Sequence, residues 1–159
     1  MIFGARIALC ILLAAVAMPA SAETLRVAVS SPVTSIDPHY HNLGPNNSFA
    51  VQVFGSLVEQ DAHARLVPGL AVSWKLVAPD TWEIKLRDAK FHNGDAFGPD
   101  DVLFTMERIP KVPNSPSNFA AYIKPIASTE VVDPHTMRLH TQGVFPLLPT
   151  YLAQFYIVD

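Results

Sequence analysis

The sequence predicts an α/β fold, on three observations. Trp82, Ile84 and Leu86 alternate with Glu83, Lys85 and Arg87, the period-two pattern of a strand with one buried and one wet face. Val102, Met106 and Ile109 recur at helical spacing behind a start signal, Gly98-Pro99-Asp100-Asp101. The 14 prolines are scattered along the chain, which favours many short elements over a helix bundle.

The first residues read as an address. Met1 to Arg6 carries one positive charge, Ile7 to Met18 is apolar but too short to span a bilayer, and Pro19-Ala20-Ser21-Ala22 offers a small-residue cleavage pattern. The expected export signal is therefore residues 1–22, cut after Ala22. Cys10 lies within its apolar stretch behind Leu9, which is not the small residue a lipoprotein signal needs there. The mature chain would begin at Glu23 without cysteine, which excludes a thiol nucleophile and a cysteine metal site. The 11 basic residues less Arg6 leave 10 against 14 acids, a formal charge of −4. That balance argues against nucleic acid as a partner, because phosphate binding wants basic patches.

Leu25, Val27 and Val29 alternate with polar or small residues and predict a first strand, ended by Ser31-Pro32 and Asp37-Pro38. The stretch to Asn46 reads as loop. Asn46 or Asn47 is expected to cap a helix carrying Phe49, Ala50, Val53, Phe54, Leu57 and Val58 on one stripe. A turn is expected at Pro68-Gly69. Two strands joined by Ala78-Pro79-Asp80-Thr81 follow. Asn93-Gly94 predicts a type I′ hairpin turn, since both of its central residues need positive φ. Glycine as N-cap, proline at the first helical position and two acids at the positive dipole end predict a helix over Pro99–Ile109, stopped by Pro110.

Beyond it, Phe119 to Ile123 reads as a short helix. Ile126 to Val132 and Thr136 to His140 read as a hairpin turned at Asp133-Pro134-His135. Leu147 to Phe155 reads as a helix with Pro149 in its first turn, and Tyr156 to Asp159 as the start of another strand. That last strand has neither partner nor closing turn in the sequence, which predicts a truncated chain.

Phe91-His92-Asn93-Gly94-Asp95, then Asp100-Asp101-Val102 and Glu107-Arg108, resembles the signature of the solute-binding proteins, family 5, that serve bacterial ABC importers of peptides and nickel. Val67-Pro68-Gly69-Leu70-Ala71-Val72-Ser73-Trp74, the strand ending in Leu86-Arg87, and Val131-Val132-Asp133-Pro134-His135-Thr136 resemble further family motifs, in the family's order. Gly98 departs from the family's usual Ser or Thr, and Asn93 replaces its commoner Asp; each serves the same cap or turn.

The resemblance implies the two-lobed type II periplasmic-binding-protein fold with only its N-terminal part present: residues 23–159 as the start of the first lobe plus most of a small second domain. It further implies a monomeric periplasmic protein that captures a short peptide or related small solute, closes over it, and delivers it to an ABC permease complex in the inner membrane. No cofactor and no chemistry are implied. A lone fragment is then expected to bind weakly, because half of the clamp is missing.

Candidate ligand-binding residues are His39, Tyr40, Asn46 and Asn47, with His41 beside them. They are polar or amphipathic groups on an irregular connection, where binding residues concentrate when a rigid scaffold holds them. By the family analogy this loop lies near the cleft. The bland alternative is that both asparagines only cap a helix and Tyr40 only packs. His39 and His41 sit at metal-ligand spacing, yet no third histidine is near, so no metal site is expected. His92 reads as part of an architectural turn, and Glu107 and Arg108 as a solvated helix face.

An enzyme would need a recognisable constellation. Phe54-Gly55-Ser56-Leu57 fails the nucleophile-elbow pattern, and no His-Glu-x-x-His or phosphate-cradling glycine loop occurs. Asp100-Asp101 is explained by the helix start. The alternatives to a solute binder are a secreted hydrolase built from scattered Ser, His and Asp, to which no motif points, and an exported scaffold domain, which fits on composition alone.

Overall fold

A computed structural model describes residues 24–28 and 30–159; the expected export signal, its cut after Ala22 and Cys10 lie outside them. The centre is a four-stranded antiparallel sheet in the order β3-β4-β6-β5, two hairpins laid side by side. Its strands are β3 (Ala71–Ala78), β4 (Thr81–Leu86), β5 (Ile126–Asp133) and β6 (Thr136–Thr141). A two-stranded ribbon, β1 (Val58–Gln60) with β2 (Leu66–Pro68), leads into it. The helices are α1 (Gly44–Ala50), α2 (Pro99–Arg108), α3 (Ala120–Ile123) and α4 (Leu148–Tyr151).

Strand alternation produces the sheet's two faces. Ile84, Leu86, Met137 and Leu139 are buried against Val102, Met106 and Ile109 of the α2 region and against Phe119, Leu148, Leu152 and Phe155. The opposite face is charged. There the register aligns Lys75, Glu83, Arg138 and Glu130 across all four strands, with signs that alternate along the row. Arg138 bonds Glu83 at 3.3 Å and lies 3.6 Å from Glu130.

The helix start behaves as read. Gly98 is extended and its N–H donates to Asp101 Oδ2 at 2.7 Å, with Pro99 and Asp100 in the first turn. The helix tightens into a 3₁₀ turn at Ile109–Lys111, where Pro110 ends the α-helical ladder. Gly69 is required by close approach, since any Cβ there would collide with the Ser56 carbonyl.

Several expectations are corrected. Leu25 to Ala28 form no strand; Leu25 and Val27 are exposed, and no described strand lies alongside to accept their backbone bonds. Helix α1 starts at Gly44 with Leu43 at its N-cap, so neither Asn46 nor Asn47 caps it. Pro45 sets that earlier start, because its fixed φ suits a first turn. The helix ends at Ala50, and Leu57 and Val58 are buried instead at the entry to β1.

Asn93 lacks positive φ while Gly94 has φ 98°, so the turn is not type I′. Asn93 Oδ1 accepts the Asp95 N–H at 3.0 Å and closes the tip through its side chain. Helix α4 is one turn, shorter than the Leu147–Phe155 reading, with Pro149 in its first turn as expected. Tyr156 to Asp159 form no strand and join no ladder: Ile157 N–H donates to the Gly55 carbonyl at 2.8 Å.

Candidate functional site

The loop between Pro32 and Leu43 belongs to no sheet and is held largely by side chains, with a backbone tie where Asn42 N–H donates to the Ser117 carbonyl at 2.7 Å. Asp37 folds back and accepts the His39 N–H at 2.9 Å. Its carboxylate meets Arg108 of α2 as a two-pronged pair, Nη1 to Oδ1 at 3.1 Å and Nη2 to Oδ2 at 2.6 Å. Arg108 Nη1 also reaches His39 Nδ1 at 2.8 Å, and His39 Nε2 lies 2.7 Å from the Tyr156 carbonyl oxygen. His39 is fully buried, with its ring edge-on to Phe119.

The partners decide the protonation state. Arginine only donates, so Nδ1 accepts, and the ring proton sits on Nε2 and is donated to Tyr156 O. Burial, helped by the Arg108 charge, holds the imidazole below its ordinary value of 6.5, against the pull of the Tyr156 carbonyl and Asp37. For Asp37, burial alone would raise the carboxyl; the Arg108 and His39 hydrogen bonds outweigh it and hold it below 3.8. Both shifts favour the folded state at higher pH. The histidine contribution is full above 6.5 and is lost as pH falls below it, because the unfolded chain takes up the proton first. The Asp37 contribution is full above 3.8 and is lost as pH falls through the lower folded value.

The other predicted residues fall on both sides of one boundary. Asn46 is buried and its amide donates to Thr34 Oγ1 at 3.1 Å, so it ties the loop to α1. Asn47 Nδ2 donates to Asn42 Oδ1 at 2.9 Å, and Asn42 Nδ2 donates to the Tyr122 hydroxyl at 3.3 Å. Tyr40 is half-buried and stands edge-on to His41. Asn47 lines an open groove of about 360 Å³ with Ser48, Gln60, Gln154 and Tyr156. Carboxamides, hydroxyls and the Glu59 carboxylate share that surface about equally with apolar groups such as Val51 and Ala153, with no cation among its lining residues. His39 and Asn46 thus spend their polar atoms inside the protein, while Asn47 faces open space.

Arg108 corrects the solvated-face reading: it is a partner of Asp37 and His39, and only Glu107 matches that reading, paired with Lys111 on the exposed surface. Sequence reasoning missed Arg108 because nothing local links it to a loop 71 positions earlier. His92 lies exposed in its turn. Among the described residues no cluster of three or more His, Cys, Asp or Glu has metal-binding geometry, and no helix is long and apolar enough to cross a membrane.

Comparison with known proteins gives this arrangement its context. The family described as bacterial extracellular solute-binding proteins, family 5 Middle, matches residues 65–159. The periplasmic oligopeptide-binding protein OppA of Haemophilus influenzae is 33% identical over 104 residues, covering 62% of this chain and 19% of that protein. The glutathione-binding protein GsiB of Escherichia coli K12 is 31% identical over 136 residues, covering 84% of this chain and 26% of that protein. Among solved structures, OppA of Burkholderia pseudomallei superposes with a TM-score of 0.75 and 26% identity, over 82% of this chain and 29% of that one. The chain therefore spans roughly a fifth to a third of the length of these relatives, and its fold is that of a type II periplasmic binding protein. On the match across the whole four-stranded sheet and all of α2, the chain belongs to the bacterial extracellular solute-binding proteins, family 5.

Proposed function

We propose that the protein is the solute-capturing component of an ABC importer, exported by residues 1–22 to the periplasm, and that its solute is a short peptide or a closely related small molecule. The observation that carries this reading is the superposition on an oligopeptide-binding protein, at 26% identity over 82% of the chain. The two curated relatives agree in chemistry, one named for oligopeptides and one for glutathione, itself a tripeptide. Residues 23–159 supply the start of the first lobe and most of a small second domain.

Capture of this kind needs no bond-breaking. An extended peptide is held by amide and carbonyl groups, with water filling the space around variable side chains. Closure over it follows from tighter binding to the closed state. In this reading His39, Tyr40, Asn46 and Asn47 form the ligand-side element. Asn47 and Tyr40 present surface, and His39 and Asn46 hold the loop in place. Delivery is to an inner-membrane permease, by a monomer.

The test is a melting-temperature screen of the full-length protein as encoded, against di- to pentapeptides, glutathione and a nickel–histidine chelate. A peptide at a hundredfold excess over its Kd adds about 2.7 kcal/mol of stability and a clear upward shift. No shift with any peptide or with glutathione, or release of cleaved peptide, overturns the reading.

A further inference from the structure

We infer that His39 is a pH-sensitive latch: uncharged, it joins α2 to the chain at Tyr156, and taking up a proton breaks that join. The geometry requires it. In the neutral ring Nδ1 accepts from Arg108 at 2.8 Å and Nε2–H donates to the Tyr156 carbonyl at 2.7 Å, so both nitrogens are used and neither has a spare role. A proton added at Nδ1 would set an N–H against an N–H of the guanidinium, with like charges in contact. One of the two bonds must then break, and the ring must turn.

The groups facing the imidazole are few. Its own loop presents Asp37, α2 presents Arg108, the C-terminal segment presents the Tyr156 carbonyl, and the residue before α3 presents the Phe119 ring edge. Asp37 is the one anion among them, and its two oxygens already accept from Arg108 and from the His39 backbone. It cannot turn to an imidazolium without releasing the arginine. The depressed imidazole value agrees with this reluctance to charge.

The latched segment has no sheet register to hold it. Residues 156–158 lie outside any ladder and are tied at separate points: His39 on Tyr156 O, the Tyr156 hydroxyl on the Asn47 carbonyl at 3.2 Å, Ile157 N–H on the Gly55 carbonyl at 2.8 Å with its side chain in the core, and Val158 N–H and C=O on Thr105 Oγ1 at 3.0 and 3.2 Å. Losing one of these opens the strip locally before the sheet is touched. The periplasm follows external pH, so an exported protein meets the acid that would operate such a latch.

The experiment is amide hydrogen exchange with histidine NMR on the full-length protein as encoded. Between about pH 7.5 and about pH 5.5, the Ile157 and Val158 amides are expected to lose about tenfold in protection, after correction for intrinsic exchange, while β4 and β6 amides hold. His39→Gln, which keeps a donor and an acceptor but cannot titrate, is expected to abolish the change. His140→Gln is expected to preserve it; His140 is another histidine near an acid, 3.7 Å from Glu130. Equal corrected protection at both pH values overturns the latch, as does an unchanged pH response in His39→Gln or a lost one in His140→Gln. If His39→Gln does not fold, the wild-type ring decides. An Nε2–H tautomer that resists protonation below 6.5 supports the latch, and an Nδ1–H tautomer or titration at or above 6.5 overturns it.

Discussion

The sheet and the layer around His39 are held by opposite means. In the sheet each strand is fixed by repeated backbone bonds, in a register that shifts only near the ends of the β3–β4 and β5–β6 pairs, so no single contact decides its place. In the loop–α1–C-terminal layer the segments are joined mainly by scattered side-chain bonds, among them Asp37 to Arg108, His39 to Tyr156 O and Asn46 to Thr34. The lesson is that the first region resists point changes outside its core, whereas the second concentrates its stability in a few polar groups.

Three substitutions test that contrast. The largest effect is expected within the sheet's own core. Ile84 is fully buried between strands β3 and β6, so Ile84→Ala should cost about 3 kcal/mol by chemical denaturation, with no change in pH dependence. A cost under about 1 kcal/mol would mean the sheet face is looser than its burial indicates. Next comes Arg108→Met, which keeps the apolar stem but strips Asp37 and His39 of their donor. A loss of about 2 kcal/mol is expected at neutral pH, shrinking in acid as Asp37 protonates. A pH-independent loss would place the effect in packing and dissolve the distinction between the two regions. The smallest is Gly98→Ser, where open space surrounds the Cβ and the backbone is already extended. A gain of about 0.3 kcal/mol is expected, read as a small rise in melting temperature.

The same contrast explains what could be read from the chain. The two hairpins, the start of α2 and the Pro110 stop were legible because alternation, Pro-Asp pairs and capping residues act over a few positions. The Asn93-Gly94 turn was placed correctly but typed wrongly, because the Asn93 side chain made the bond that positive φ would otherwise have secured. Leu57 and Val58 fitted a helical stripe by spacing, yet pairing with β2 claimed Val58 for a strand, and a short apolar run does not reveal which period will win. The strands expected at Leu25 and at Tyr156 failed for a shared reason: apolar alternation describes a face, and a strand also needs a neighbour.

For the candidate site, sequence pattern located the segment from His39 to Asn47 but not the division of labour within it. That Asn46 points inward and Asn47 outward is a consequence of helical rotation from a start at Gly44, three residues before the expected cap region ends. Arg108 carried no local sign of its partner. Long-range polar pairs leave no periodic trace, so the residues that anchor the loop were the ones hidden from a linear reading.

The row of Lys75, Glu83, Arg138 and Glu130 has a consequence for assembly of the sheet. If β6 slid by two residues in one direction, the core face would still be apolar, and hydrophobicity alone would not reject the error. Lys85 would then stand opposite Arg138, cation against cation, in place of the present Glu83–Arg138 pairing. The alternating charges on the wet face thus act as a proofreading strip, penalising a misalignment to which the interior is blind.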